Sequence, residues 1–156
     1  MKIGYIDYSP ATSSLDIFVT GCLSPFCMGC CNPELANFDE GTDWTYFKGK
    51  ISNYIKSYGS LIKNIFLVGG SPNHQLVEDL TEFIKFIRPF NRDIWLYCRE
   101  DLEHVQKIFL ENCKYIKSGE YIPKLRTKNN IVTVSNGTTV KLATSNQVIY
   151  EKGVDY

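Results

Sequence analysis

Four short apolar runs, separated by stretches of helical periodicity, constrain this chain more than any other feature. Ser14 to Thr20 carries Leu15, Ile17, Phe18 and Val19 and stops at Gly21, which suits a buried strand. From Trp44 to Tyr58, the residues Phe47, Ile51, Tyr54, Ile55 and Tyr58 recur at helical spacing, with Thr42 or Asp43 placed to cap the first turn. Ile62 to Val68 reads as a second strand closed by Gly69 and Gly70. A helix from about His74 to Ile87 follows, with Leu76, Leu80, Phe83, Ile84 and Ile87 on one face and Pro89 beyond its end. Strand three is Asp93 to Cys98, a third helix from Asp101 to Glu111 buries Leu102, Val105, Ile108 and Phe109, and Lys114 to Lys117 is a fourth strand. This alternation predicts an α/β fold whose parallel strands are joined by right-handed crossovers.

The C-terminal part changes character. Ile131 to Ser135 and Thr138 to Leu142 flank Asn136-Gly137, the preferred pair for a tight type I′ turn, so a hairpin is expected, with a last strand near Gln147 to Tyr150. No repeat, low-complexity segment or linker divides the sequence, and residues 1–156 read as a single domain. At 156 residues, folding hides about 70% of the chain's surface, enough for a core without disulfides. A full eight-stranded α/β barrel needs about 250 residues and does not fit.

Composition narrows the function classes. Lys plus Arg and Asp plus Glu number 17 each, giving a net charge of zero, and no basic run supplies the positive footprint that nucleic acids require. No stretch approaches the roughly 20 consecutive apolar residues of a membrane span. Met1 to Pro10 has neither the basic nor the apolar segment of an export signal. The expectation is a soluble cytoplasmic protein that binds neither nucleic acid nor membrane.

In a parallel α/β sheet, ligands sit beyond the carboxyl ends of the strands, where loops and helix N-termini converge. The loops after Thr20, after Val68 and after Cys98 share that edge. The first holds four of the six cysteines, Cys22, Cys27, Cys30 and Cys31, and such crowding points to metal rather than to disulfides. Cys22, Cys27 and Cys30 form C-x4-C-x2-C, and three thiolates on one short loop can ligate three irons of a four-iron, four-sulfur cluster, leaving the fourth iron open. Gly29 lets the backbone turn tightly between two of them. A structural zinc site and a set of free thiols are the alternatives. A closed zinc site wants a second pair of ligands, and Cys98 and Cys113 are expected at opposite ends of their strands. Cys98 alone is placed to reach the cluster edge, and Cys31 is crowded by Cys30.

The segment Phe18-Val19-Thr20-Gly21-Cys22, followed by Cys27-Met28-Gly29-Cys30-Cys31-Asn32-Pro33, resembles the opening of the activating proteins of anaerobic ribonucleoside-triphosphate reductase, small members of the radical S-adenosylmethionine superfamily. Further along, Leu67-Val68-Gly69-Gly70-Ser71-Pro72-Asn73-His74 is similar to that family's Gly-Gly-acid-Pro loop. Ile94-Trp95-Leu96-Tyr97 resembles its third strand, and Ala143-Thr144-Ser145-Asn146-Gln147-Val148-Ile149 its terminal Ser-Asn-Gln strand. The likeness covers nearly the whole chain. Three departures stand out: four residues rather than three separate Cys22 from Cys27, Ser71 occupies the place of the acid, and Cys98-Arg99 stands where Thr-Gly is common.

The resemblance implies an open, partial β/α barrel of mainly parallel strands with a C-terminal hairpin. It implies a 4Fe-4S cluster on Cys22, Cys27 and Cys30 that reductively cleaves S-adenosylmethionine, and a 5′-deoxyadenosyl radical that takes a hydrogen atom from a glycine of anaerobic ribonucleoside-triphosphate reductase. An electron donor such as flavodoxin or ferredoxin is implied as well. Gly69 and Gly70 would admit the cofactor's ammonium group to their carbonyls, although Gly-Gly after a strand is also an ordinary turn. Ser71 would accept a hydrogen bond from that ammonium or cap the next helix. Ser145 and Asn146 are candidates for the cofactor's carboxylate, ribose or adenine, or simply form a polar strand end. His74 reads first as a helix-start residue and Arg99 as an exposed arginine that can face a carboxylate; His104 falls on the solvated face. The rival reading is a non-catalytic iron-sulfur or zinc-binding interaction module on the same fold.

Overall fold

The computed structural model describes residues 1–156. In chain order the strands and α-helices are β1 (Lys2–Ser9), β2 (Ser14–Val19), β3 (Thr42–Asp43), α1 (Lys48–Tyr58), β4 (Asn64–Gly69), α2 (Val77–Ile87), β5 (Asp93–Tyr97), α3 (Lys107–Asn112), β6 (Tyr115–Ser118), β7 (Ile131–Thr133), β8 (Thr139–Lys141) and β9 (Val148–Glu151). Seven strands form one mixed sheet in the order β3-β1-β2-β4-β5-β6-β9. The four expected strands, β2, β4, β5 and β6, run parallel at its centre, and β1 and β9 flank them antiparallel. No helix is long and apolar enough to cross a membrane.

Strand alternation sorts the side chains onto two faces. Leu15, Ile17, Val19, Ile65, Leu67, Ile94, Leu96 and Ile116 point toward α1 and α2, where they join Ile51, Ile55, Leu80, Phe83, Ile84 and Ile87 in a cluster of 22 buried residues. Phe66, Trp95 and Tyr115 point the other way and are covered by Val140 and Leu142 of the hairpin. That second cluster is pinned by polar bonds. Trp95 Nε1 donates to Asn64 Oδ1 at 2.9 Å, and Asn136 Nδ2 donates to Asn64 Oδ1 at 3.0 Å and to Asp93 Oδ2 at 2.7 Å. The central strands are therefore buried on both faces, as parallel strands generally are.

β1 was not signalled by periodicity, for a definable reason. Its pairing with β2 slips between Ile3 and Tyr5, around Gly4, so Ile3 and Ile6 both reach the main core although three positions apart. A bulge of this kind destroys the period-two signature.

The helices begin later than the spacing suggested. Trp44–Phe47, Pro72–His74 and Leu102–His104 are single 3-10 turns, and the α-helices start after them. Asp43 does cap the first, its side chain accepting the Thr45 N–H at 2.9 Å. Ahead of α2 the backbone of Gln75 and Leu76 is extended, which turns Leu76 out of the core to 70% exposure. Gln75 is held in this path by its own side chain, which donates to Thr20 O at 2.9 Å.

The hairpin turn also differs from expectation. Gly137 has a φ of 83° whereas Asn136 does not have a positive φ, so the turn is not type I′, which needs both. Gly137 N donates to Val134 O at 2.9 Å and Val134 N to Thr138 O at 3.0 Å, the pattern of a type I turn followed by a left-handed glycine.

Candidate metal centre

The cysteine loop leaves β2 at the carboxyl edge of the parallel strands. Gly21 N donates to Leu35 O at 2.8 Å, Cys22 N to Ala36 O at 2.9 Å and Ser71 N to Gly21 O at 2.8 Å, so the two ends of the loop are tied to each other and the first of them to the loop after β4. Gly21 has a φ of +103°, and a Cβ there would stand 2.1 Å from the Phe38 ring, which admits glycine alone.

Cys22, Cys27 and Cys30 are half-buried and Cys31 is exposed. Cys30 N donates to Cys27 O at 3.2 Å across a turn completed by Gly29, whose φ is +72°. Asn32 N donates to Cys30 Sγ at 3.4 Å, a backbone bond suited to a sulfur that carries negative charge. Burial pushes the Cys22 thiol up to about 11, Arg99 opposing this and the neighbouring Cys30 and Cys27 adding to it. The three ligand candidates thus share one electrostatic neighbourhood. No three His, Cys, Asp or Glu side chains gather around a single point as the ligands of one ion would. A four-iron cluster makes no such demand, because each thiolate binds a different iron, and an all-thiol donor set on one loop fits it.

Two side chains from other loops hold this one. Leu23 N donates to His74 Nδ1 at 2.9 Å. Arg99 Nη2 donates to Leu23 O at 2.9 Å and Arg99 Nη1 to Pro25 O. Glu100 joins them, its Oε1 lying 2.7 Å from His74 Nε2 and 3.2 Å from Arg99 Nε. Arg99 is therefore not a free surface cation, and His74 does more than begin a helical turn. Glu100 carried no sequence signal. Lys117 did, as a lone charge within a strand of otherwise buried residues. It is 9% exposed, donates to Gly119 O at 2.7 Å, and is pushed down to about 8 by burial, with Cys98, Cys27 and Cys31 nearby acting in the opposite direction.

The cofactor candidates divide. Gly69 and Gly70 are required by the protein's own backbone. A Cβ on Gly69, whose φ is +100°, would stand 2.6 Å from Val19 O, and one on Gly70 would stand 2.8 Å from Gly21 O and 2.9 Å from Leu35 O. Ser71 is buried and its side chain does not cap the turn it precedes, which removes the capping role. Its Oγ has no hydrogen-bond partner, and neither does Asn146 Oδ1. Buried polar atoms are normally paired, so both fit a polar ligand arriving at this edge. Asn146 is steered by its Nδ2, which donates to Glu120 O at 3.0 Å. Ser145 is exposed, and its N–H donates to Leu125 O at 2.9 Å. No hydrogen bond joins Ser145 or Asn146 to Gly69, Gly70 or Ser71. Cys98 faces the main core and donates to Glu100 O at 3.6 Å, and burial pushes its thiol up to about 12. Cys113 is buried in that same core. His104 is on the solvated face, as expected.

No curated protein matches the chain. A family model described as a 4Fe-4S single cluster domain matches residues 13–141, which runs from the start of β2 through the cysteine loop to the end of β8. With most of its length accounted for by that match, the chain belongs to the 4Fe-4S single cluster domain family.

Proposed function

We propose that this chain is a radical S-adenosylmethionine activase that generates a glycyl radical on anaerobic ribonucleoside-triphosphate reductase. The observation that carries the reading is the unpartnered Ser71 hydroxyl and Asn146 carbonyl at the strand edge that bears the three-cysteine loop. On this reading Cys22, Cys27 and Cys30 would hold the cluster, and S-adenosylmethionine would bind at the edge beside them. The chemistry the bound groups supply is one-electron cleavage of the cofactor's carbon-sulfur bond. Ser71 and Asn146 orient the cofactor through the hydrogen bonds they otherwise lack. Gly69 and Gly70 let the loop that carries Ser71 lie against Val19, Gly21 and Leu35, where the cysteine loop begins and ends. The sheet, read as a half-open barrel, leaves a lateral mouth for the reductase's glycine loop, and a flavodoxin- or ferredoxin-like protein supplies the electron.

The test is to rebuild the cluster without air, add S-adenosylmethionine and a strong reductant, and measure 5′-deoxyadenosine. A glycyl radical signal is then sought on the reductase by electron paramagnetic resonance. No deoxyadenosine from a chain that holds iron and sulfide rejects the radical activity. The second reading, a metal-binding interaction module, is favoured by Ser71, which carries no charge to offer an ammonium group. Stoichiometric zinc without sulfide supports that alternative.

A further inference from the structure

We propose that Arg99 is a positioning residue of the iron-sulfur site, whose guanidinium clamps the four-residue spacer between Cys22 and Cys27 and raises the reduction potential of the cluster those cysteines hold. The proposal rests on the iron-sulfur assignment and not on the cleavage of S-adenosylmethionine.

The spacer Leu23-Ser24-Pro25-Phe26 is exposed, and an exposed loop of this kind has little apolar burial to fix its path. Arg99 supplies what burial does not. Its two terminal nitrogens take the carbonyls of Leu23 and Pro25, two positions apart in the spacer, while its Nε is anchored on Glu100. The guanidinium is a rigid planar fork with five donors, so three acceptors in fixed directions define its orientation, and through it the direction in which Cys27 leaves the spacer. His74, held by that same Glu100, takes the N–H of Leu23. Both backbone groups of Leu23 are thereby committed. The chain that follows the first ligand is set by residues 51 and 76 positions away.

The second consequence is electrostatic. Arg99 bonds the carbonyls of Leu23, the residue after Cys22, and of Pro25, two residues before Cys27, which places its charge between the first two ligands. Its guanidinium stays protonated at any working pH by its own chemistry, and its bonds to Leu23 O, Pro25 O and Glu100 fix where that charge sits. Reduction adds an electron to a cluster whose ligands are already anionic. A fixed positive charge and N–H donors near the sulfurs favour the reduced state, which moves the potential upward.

Arg99→Gln and Arg99→Lys separate the two effects. Each variant is loaded with iron and sulfide without air, its fold checked by circular dichroism, its midpoint potential read by electron paramagnetic resonance during redox titration, and its iron release followed with a chelator. Arg99→Gln is expected to shift the potential to a more negative value and to release iron roughly tenfold faster, the equivalent of about one net hydrogen bond. Arg99→Lys keeps the charge and loses the fork, so its potential stays near that of the parent while iron release accelerates. Failure of Arg99→Gln to assemble a cluster, with Arg99→Lys still assembling one, supports the charge, and faster iron release from that Arg99→Lys cluster supports the clamp. An unchanged potential and release rate in a fully loaded Arg99→Gln overturns the proposal and leaves the iron-sulfur assignment standing. A parent chain that assembles no cluster overturns both.

Discussion

His74 Nε2 lies 2.7 Å from Glu100 Oε1 while its Nδ1 accepts the N–H of Leu23 at 2.9 Å. An acceptor at Nδ1 places the proton of the neutral ring on Nε2, so the imidazole donates to the Glu100 carboxylate. One side chain thus connects the loops after β2, β4 and β5. His74→Phe keeps the ring volume and deletes both bonds. Amide exchange at Leu23 is expected to quicken about tenfold without loss of protection in β4 or β5. Unaltered exchange at Leu23 would show that this bond does not hold the loop.

Cys27 and Cys113 make a matched pair for ligand assignment. Cys27 sits half-buried on the loop, Cys113 lies in the main core. Cys27→Ala is expected to abolish cluster assembly and leave the fold intact. Cys113→Ala keeps the cluster and lowers stability by about 1 kcal/mol, as small core truncations do. Iron and sulfide analysis with urea unfolding reads both. Loss of iron from Cys113→Ala and not from Cys27→Ala reverses the assignment.

The unpartnered hydroxyl of Ser71 makes opposite demands on the empty and loaded protein. Ser71→Ala deletes a buried group without a partner, so the cluster-free chain is expected to hold its stability or gain about 1 kcal/mol. Calorimetric binding of S-adenosylmethionine to the cluster-loaded protein should weaken in that variant and tighten in Ser71→Asp, which restores a negative partner for an ammonium group. Equal affinity in all three forms removes Ser71 from the cofactor site.

Asp16 provides a pH signature away from the cysteines. It stands opposite Asp7 in the β1–β2 ladder. Burial pushes its carboxyl above the usual range, a 2.5 Å bond from Ser14 Oγ opposing this and Asp7 adding to it. A carboxyl raised by folding contributes most stability below its unfolded pKa and loses that contribution as pH climbs through the folded value. Asp16→Asn keeps an acceptor for Ser14 and drops the charge. It is expected to raise the melting temperature at pH 7, with the gain fading below about pH 4. A gain of equal size at pH 3 and pH 7 would assign it to something other than ionisation.

The parts of the fold that could be read from the residues were those governed by local burial. Leu15, Ile17 and Val19 announce β2, Ile65 to Val68 announce β4, and both end where glycine allows a sharp exit. The hairpin was legible in Asn136-Gly137 although its turn type was not, because only φ at Asn136 distinguishes the two forms. β1 escaped because the bulge at Gly4 puts Ile3 and Ile6 on one face. The late starts of α2 and α3 escaped because Asn73, Gln75 and Gln106 exchange hydrogen bonds between loops 31 and 33 residues apart.

The cysteine loop followed from sequence alone, since thiol chemistry and spacing are properties of a short segment and its place after a parallel strand follows from alternation. Only the tertiary structure decided what holds that loop and which atoms beside it lack partners. Leu23, His74, Arg99 and Glu100 meet because two parallel crossovers bring the ends of β2, β4 and β5 to one edge. No local periodicity encodes such a meeting. Hydrophobic pattern records whether a residue is buried, whereas a hydrogen bond between distant loops depends on directions that exist only once the sheet has formed.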